Sequence, residues 1–394
     1  MHDRFTRSQG SAQAAQLLEK ATQVTGLLAG ECSPIASPLE VIALKKPPAN
    51  PQLCLVYQEI LPRVSRSFYL TLRILPRQLR EPICLAYLLA RISDTVADSQ
   101  VIAKTDRVKW LESFESLLLS QQHPVSEITA QLRVEAHPHA GEKELLRSIQ
   151  SVVHGYWACD LEDRLHIQEV IQIILRGQKW DLRRFSACST PAIQSLKEMG
   201  ELREYTYLVA GCVGAFWTRM CLRHLSGSPA MENQQIEALG VRFGQGLQWV
   251  NILRDFRSDL TSGRCYLPED LWLPTGWRPG RESDAYPEAF VELWRQWVLE
   301  ALSCLEDGWR YLKALPMHWC RVRLACAWPL LFGVMTLARL TAPPGPHSPP
   351  PKIGRWQVYE ILFRTLLSMG RPRVWDDLFD QAVFRIRCDL KGSS

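Results

Sequence analysis

The sequence predicts an all-α protein, with many helices packed around one core. Three observations carry this. From residue 54 onward apolar residues recur at spacings of three and four, the mark of amphipathic helices. Alternating apolar and polar runs joined by hairpin turns are hard to find. With 46% hydrophobic residues, the 394-residue chain can bury a large core, and 14 tryptophans argue against disorder over most of its length.

Taken in order, residues 1–50 show no sustained period and end in Lys45-Lys46-Pro47-Pro48. They read as a poorly ordered N-terminal extension, in which 14–29 could form one short helix. Residues 51–394 read as a single catalytic domain. Within it, Leu85, Leu88, Leu89 and Ile92 share one helical face, as do Leu145, Ile149, Val152 and Val153. Ser262-Gly263-Arg264 marks a turn after a helical stretch. The apolar run Leu324 to Ala338 contains Pro329 and Gly333 and lies between Arg323 and Arg339. It is shorter than the roughly 20 residues of a spanning helix and reads as a core helix. Residues 342–351, APPGPHSPPP, can be neither helix nor sheet. They are a linker or a mobile flap before a last helical part that begins near Trp356.

Charge and cysteine usage narrow the function. A net charge of +5 is too small to imply nucleic-acid binding, but suits an anionic substrate or a lipid headgroup surface. The 12 cysteines form no CxxC pair and no zinc spacing, so they read as buried reduced thiols. The opening MHDRFTRSQG lacks the apolar stretch of a secretory leader, so a cytoplasmic, or membrane-peripheral, location is expected.

Two segments carry chemistry. In Leu88–Asp98, Asp94 and Asp98 are four apart and share a helix face, with Arg91 one turn earlier. Like charges so placed repel by a few tenths of a kcal/mol even when exposed, roughly, and more when buried. A divalent cation is the obvious partner; the alternative is a solvated helix face. In Gln248–Asp259, the side chains of Gln248, Asn251, Asp255 and Asp259 fall within about 80° of one another on a helix. All four offer oxygen ligands, while Val250, Ile252, Leu253 and Phe256 anchor the helix. Two such helices facing each other would cage Mg2+ ions and a diphosphate, with Arg66, Arg91 and Arg254 clamping phosphate oxygens.

These segments resemble the paired aspartate motifs of trans-isoprenyl diphosphate synthases, in particular the squalene and phytoene synthase branch. Ser65-Arg66-Ser67-Phe68 is similar to its SRSF motif, Asp94-Thr95-Val96-Ala97-Asp98 to DTVxD, and Tyr205 to Gly214 to its YCxxVAGxVG helix. Asn251 to Asp259, Gly263-Arg264 and Tyr266-Leu267-Pro268 are similar to NIxRDxxxD…GRxYLP. The match spans about 54 to 275 in order; one departure is Ala97, where squalene synthases often carry Glu.

The resemblance implies a single-domain class I terpenoid synthase fold with a central cavity, acting as a squalene synthase. Two farnesyl diphosphates would join 1′–1 through presqualene diphosphate, followed by NADPH reduction. It assigns Mg2+ to Asp94, Asp98, Gln248, Asn251, Asp255 and Asp259. The diphosphates fall to Ser65, Arg66, Arg91, Arg254 and Arg264, and proton removal to Tyr205. Lys352-Ile353-Gly354-Arg355 resembles a nicotinamide-nucleotide segment, so Lys352 and Arg355 are expected to meet NADPH; no GxGxxG fingerprint occurs. Phytoene or dehydrosqualene synthesis without NADPH, and an enzyme that stops at presqualene diphosphate, remain alternatives. A non-catalytic binding or assembly protein is a remote one, since both aspartate motifs are whole. A water-insoluble product implies peripheral membrane contact, although no amphipathic anchor stands out. Monomer and homodimer are both open.

Overall fold

The computed structural model describes residues 56–65, 68–120, 125–185, 193–280, 285–345, 348–369 and 371–391. All belong to the compact unit Pro47–Ser394. The extension 1–50, its expected helix 14–29 and Arg66 lie outside the described residues.

Helices dominate. A π-helical turn, Val56–Ile60, leads into α1 (Leu61–Ser65) and α2 (Phe68–Ile74). They are followed by α3 (Arg77–Ala97), α4 (Lys104–Leu119), α5 (Val125–Ala130), α6 (Ala140–Arg147) and α7 (Ile149–Trp157). Next come α8 (Leu161–Arg184), α9 (Met199–Thr206), a π-helical segment Tyr207–Gly211, α10 (Cys212–His224) and the long α11 (Asn233–Thr261). The chain ends with α12 (Glu269–Trp272), α13 (Glu288–Ala314), α14 (Cys320–Leu337), α15 (Arg355–Leu367) and α16 (Pro372–Lys391). The only strands among the described residues are β1 (Gln194–Ser195) and β2 (Arg264–Cys265), a two-residue parallel pair with Gln194 opposite Arg264.

Six helices packed in succession position the site. The inward side of α3, with Leu85, Leu88, Leu89, Ile92 and Val96 all buried, rests on α8. In turn α8 packs on α10, and α10 on α11. The far side of α11 meets α13, which rests on α14.

The α10–α11 contact is close because both helices are glycine-stippled there. A Cβ on Gly214 would lie 1.8 Å from the Gly240 carbonyl oxygen, and one on Gly244 would lie 2.3 Å from that of Ala210. The small residues after Tyr205 thus bring two backbones into contact. Gly263, at φ +78°, makes the turn that sends the chain from α11 into β2, and so fixes where Arg264 and Tyr266 start.

The apolar run 324–338 is helical, within α14. This helix is long and apolar enough by composition to cross a bilayer, yet most of it is buried inside the protein. Its Arg323 guanidinium donates 2.7 Å bonds to the Leu312 and Leu315 carbonyls. The core reading therefore fits better than a span. The last helical part starts at Arg355, and the proline-rich segment before it is irregular where described, tied down at Pro344 by a 2.8 Å bond from the Tyr286 hydroxyl.

Candidate active site

Both acidic pairs sit at the C-terminal ends of their helices. Asp94 lies in the last turn of α3 and Asp98 is its C-cap, its backbone N–H bonded to the Asp94 carbonyl. Asp259 lies in the last turn of α11, and Asp255 one turn earlier. Neither last turn carries a basic residue. A helix C-terminus bears partial negative charge, so carboxylates there are disfavoured. Two helices accepting that cost at the same place point to a cation that is to be bound.

The electrostatics agree. Burial, then repulsion from Asp98, pushes Asp94 up to about 6, although Arg91 and a Gln178 hydrogen bond oppose it. Burial, then Asp255, pushes Asp259 up to about 7 against the pull of Arg264 and Arg254. Asp98 is raised by the protein atoms that crowd its carboxyl, more than Arg264, Arg91 and Arg107 lower it. A cation would relieve each of these carboxylates.

Arg264 joins the two halves. It follows the Gly263 turn, and its charge acts on Asp98 of α3 and Asp259 of α11. Its Nη1 donates to Asp181 Oδ2 of α8 at 3.1 Å. Asp181 in turn feels the charge of Asp98 and contributes to the field at Asp259. The early and late aspartates therefore face a common region at the C-terminal end of α8. Among the described residues no three acidic, histidine or cysteine side chains close on a single metal position. The expected cage is open: like charges hold apart, and Mg2+ would complete its shell with diphosphate oxygens and water.

Several expected anion ligands behave differently. Arg254 folds onto its neighbour Asp255, Nε donating to Oδ1 at 2.9 Å and Nη2 to Oδ2. It is a counter-charge inside the second motif rather than a free clamp, because adjacent side chains on a helix end can reach each other when no stronger anion competes. The Ser65 hydroxyl turns into its own helix and donates to the Leu61 carbonyl. Gln248 accepts a long 3.4 Å bond from Asn251, so both oxygen donors of that turn share one face, as expected. Arg91 reaches Glu142 at 3.4 Å, but its buried Nε has no acceptor among the described residues. A cavity of about 220 Å³ opens between Arg91, Asp98, Thr95, His137, His139 and Glu142. Lys352 and Arg355 are exposed, and no hydrogen bond or ion pair among the described residues joins them to the acidic region.

The sequence reading missed a set on α4 and α8. Gln178 donates to Asp94 and, at 3.0 Å, to the Ser93 hydroxyl. Arg107 Nη1 caps α3 through the Ala97 carbonyl at 2.7 Å, and its buried Nε, like that of Arg91, has no acceptor among the described residues. The ammonium of Lys104 bonds the Phe185 carbonyl, with its pKa lowered by burial and by Arg264 and Arg107. The signal available was Gln178-x-x-Asp181, two polar groups one turn apart near the C-terminal end of a long helix.

Tyr205 is buried at the end of α9, just before the π-helical segment, a distortion frequent at functional sites. Its ring stacks on Tyr266 at 4.8 Å and lies 5.8 Å from Trp180. Phe185 meets Tyr266 edge-on at 5.1 Å. The Tyr205 hydroxyl donates to that of Tyr266, which donates to Asp181 Oδ1 at 2.7 Å. Burial, then the Tyr266 and Asp181 charges, holds Tyr205 far above the usual phenol range. It is a neutral phenol at the head of a hydrogen-bond chain.

Two acidic helix ends bridged by an arginine, beside a buried aromatic wall, suit a diphosphate and a reactive carbocation. A sequence profile for squalene/phytoene synthase matches residues 61–357. The chain belongs to the squalene/phytoene synthase family. Members of this family are prenyltransferases. Among curated proteins, the chain is 27% identical to squalene synthase 1 of Arabidopsis thaliana over 75% of its own length and 67% of that protein's. It is 30% identical to the bifunctional lycopene cyclase/phytoene synthase of Phaeosphaeria nodorum over 66% of its length and 41% of that protein's. The chain thus spans about two thirds or less of the relatives it matches. The complex structure of TcSQS with the ligand BPH1237 superposes with a TM-score of 0.67 at 21% identity, covering 86% of this chain and 92% of that one. A dehydrosqualene synthase in complex with a ligand gives 0.54 at 18% identity, over 80% and 95%. These likenesses give the fold, the all-α isoprenoid synthase architecture.

Proposed function

We propose that this chain is a squalene synthase, a Mg2+-dependent enzyme that joins two farnesyl diphosphates 1′–1 through presqualene diphosphate and reduces that intermediate with NADPH. The observation that carries the diphosphate chemistry is Arg264, whose charge acts on both acidic motifs and on Asp181. Bound Mg2+ would supply charge neutralisation for the leaving diphosphate, held by Asp94, Asp98, Asn251, Asp255 and Asp259, with Gln248 beside them. Two of the buried guanidinium N–H groups without acceptors among the described residues, on Arg91 and Arg107, are donors that phosphate oxygens would satisfy.

Ionisation at C1 leaves an allylic cation that water would quench. Trp180, Tyr205, Tyr266 and Phe185 form an aromatic wall next to the acidic region. Each face stabilises a nearby cation by about 0.5–2 kcal/mol. Closing the cyclopropane releases a proton. A Tyr205 kept neutral by burial does not take it as a phenolate. Its oxygen accepts that proton while its own moves to Tyr266 and the Tyr266 proton moves to Asp181, whose raised pKa favours receipt. Lys352 and Arg355 would meet the NADPH phosphates: both are exposed cations without an ion pair among the described residues.

A second reading, dehydrosqualene or phytoene synthesis without NADPH, is supported by the 30% identity to a phytoene synthase-containing protein and by the fold shared with a dehydrosqualene synthase. Mass spectrometry of the hydrocarbon made from farnesyl and geranylgeranyl diphosphate, with Mg2+ and with or without NADPH, separates them. Squalene released only with NADPH is expected. A conjugated triene formed regardless of NADPH would replace the first reading with the second.

A further inference from the structure

Outside this site α15 stands out, and all but three of its residues lie past the stretch matched to the family. Its inner face is fixed. Ile361 and Thr365 are buried, and Trp328 Nε1 of α14 donates to Thr365 Oγ1 at 2.9 Å. Its outer face is apolar and open: Trp356 is 49% exposed, Tyr359 57%, Phe363 40% and Leu367 48%. At roughly 100° per residue these four fall within about 80° of one another, opposite the buried pair. Single exposed apolar residues are ordinary, but a continuous stripe of four, three of them aromatic, is not.

The stripe is bordered by positive charge. From 352 to 373 the chain carries Lys352, Arg355, Arg364, Arg371 and Arg373 against one acidic residue, Glu360, which Arg364 neutralises at 3.4 Å. Lys352, Arg355, Arg371 and Arg373 form no ion pair among the described residues. Beyond Glu360, the next exposed acids are Asp377 and Asp380 of α16. A basic-edged helix with tryptophan, tyrosine and phenylalanine on one face matches a bilayer interface. There the rings sit at headgroup depth and lysine and arginine meet anionic lipid.

We propose that α15 is an in-plane membrane-docking helix that seats this enzyme on an anionic lipid surface through Trp356, Tyr359, Phe363 and Leu367, with Arg371 and Arg373 on the headgroups. The occupant is a bilayer rather than a second copy, because two copies stacked on this stripe would oppose like charges at both of its ends. The inference does not rest on which hydrocarbon the enzyme makes.

Co-sedimentation of the full chain with vesicles tests it. Binding is expected to vesicles in which about a third of the lipid is phosphatidylglycerol, weaker binding to pure phosphatidylcholine, and loss of binding in high salt. The pair Trp356→Ser and Phe363→Ser should abolish binding, and the pair Arg371→Glu and Arg373→Glu should weaken it about tenfold on the anionic vesicles alone. Thermal melting and turnover in detergent should stay at wild-type values in both pairs, which separates docking from folding. Equal binding by wild type and the Trp356/Phe363 variant overturns the proposal. So does a wild-type dimer in light scattering that this variant converts to monomer, which would assign the stripe to a second copy.

Discussion

The two acidic pairs look alike in sequence and differ in their surroundings. Among the described residues, the pair on α3 has no side-chain cation in direct contact. Asp94 is held by the neutral Gln178 amide, and Asp98 feels Arg264, Arg91 and Arg107 only through space. The pair on α11 carries its own cation, since Arg254 grips Asp255 with two of its nitrogens. The α3 pair is thus the more frustrated half, and the α11 pair is already half neutralised. Frustration of this kind is stability given up for binding, so the two halves should answer differently to the same substitution.

The largest effect expected is on turnover. Asp94→Asn, Asp98→Asn and Asp255→Asn should each reduce Mg2+-dependent diphosphate release on the order of a hundredfold or more. Stability should split them. Asp94→Asn removes a repelled, partly buried charge from a helix C-terminus and should raise the thermal midpoint of the metal-free protein. Asp255→Asn strips Arg254 of its partner and should lower it. Midpoints that move in the same direction for both would end the contrast drawn here.

Next in size is the phenol chain that runs between the halves. Tyr205→Phe keeps the ring on Tyr266 and Trp180 but removes the first donor. Presqualene diphosphate formation should fall about a hundredfold, while the Mg2+ concentration for half-maximal rate stays put. Tyr266→Phe should behave alike, since it breaks the same chain at the next link. If Tyr205→Phe instead shifted the Mg2+ requirement, the residue would belong to the metal region and not to the proton path.

What could be read from the sequence followed the range of the interaction. Asp94 with Asp98, and Gln248, Asn251, Asp255 and Asp259, are legible because helical spacing alone puts each set on one face. The burial of α14 is legible from its apolar run. Asp181, Gln178, Arg107 and Lys104 are not, because each matters only where one helix end meets another, a matter of tertiary contact. The pairing of Arg254 with Asp255 escaped the sequence for a local reason: spacing says which face a side chain shares, not that it will neutralise its neighbour. The α15 stripe was missed because its apolar residues share the core's spacing, and only packing shows that this face is left open.

A smaller effect tests how the α11 half is seated. Gly214→Ala places a methyl 1.8 Å from the Gly240 carbonyl oxygen, so α10 and α11 must part. Overpacking of this kind costs about 1–3 kcal/mol, and the thermal midpoint should fall by several degrees. Displacement should act on Asp255 and Asp259 and spare the α3 pair, which α8 seats. Mg2+ affinity in Gly214→Ala should therefore weaken, and a second substitution, Asp94→Asn, should still raise the midpoint as it does alone. Loss of that rise would mean that α10 supports both halves.

The smallest effect is the pH dependence of stability, and it reads the frustration directly. Asp94 at about 6 and Asp259 at about 7 stand above the ordinary carboxylate value of 3.8. Between the two values the folded protein holds more protons than the unfolded chain, so stability falls as pH rises. The contribution is full below the ordinary value and is lost as pH passes 6 for Asp94 and 7 for Asp259. Melting the metal-free protein across this window should show a decline that Asp94→Asn reduces in its lower part, while Asp259→Asn reduces it up to neutrality. Mg2+ with inorganic diphosphate should flatten the decline, because a bound cation favours the ionised carboxylates that the bare site disfavours. Turnover should rise through the same window, for the same reason. A metal-free protein whose stability climbs from pH 4 to 7, with no change in either variant, would show that these carboxylates are not strained, and the case for a waiting cation would fail at both helix ends.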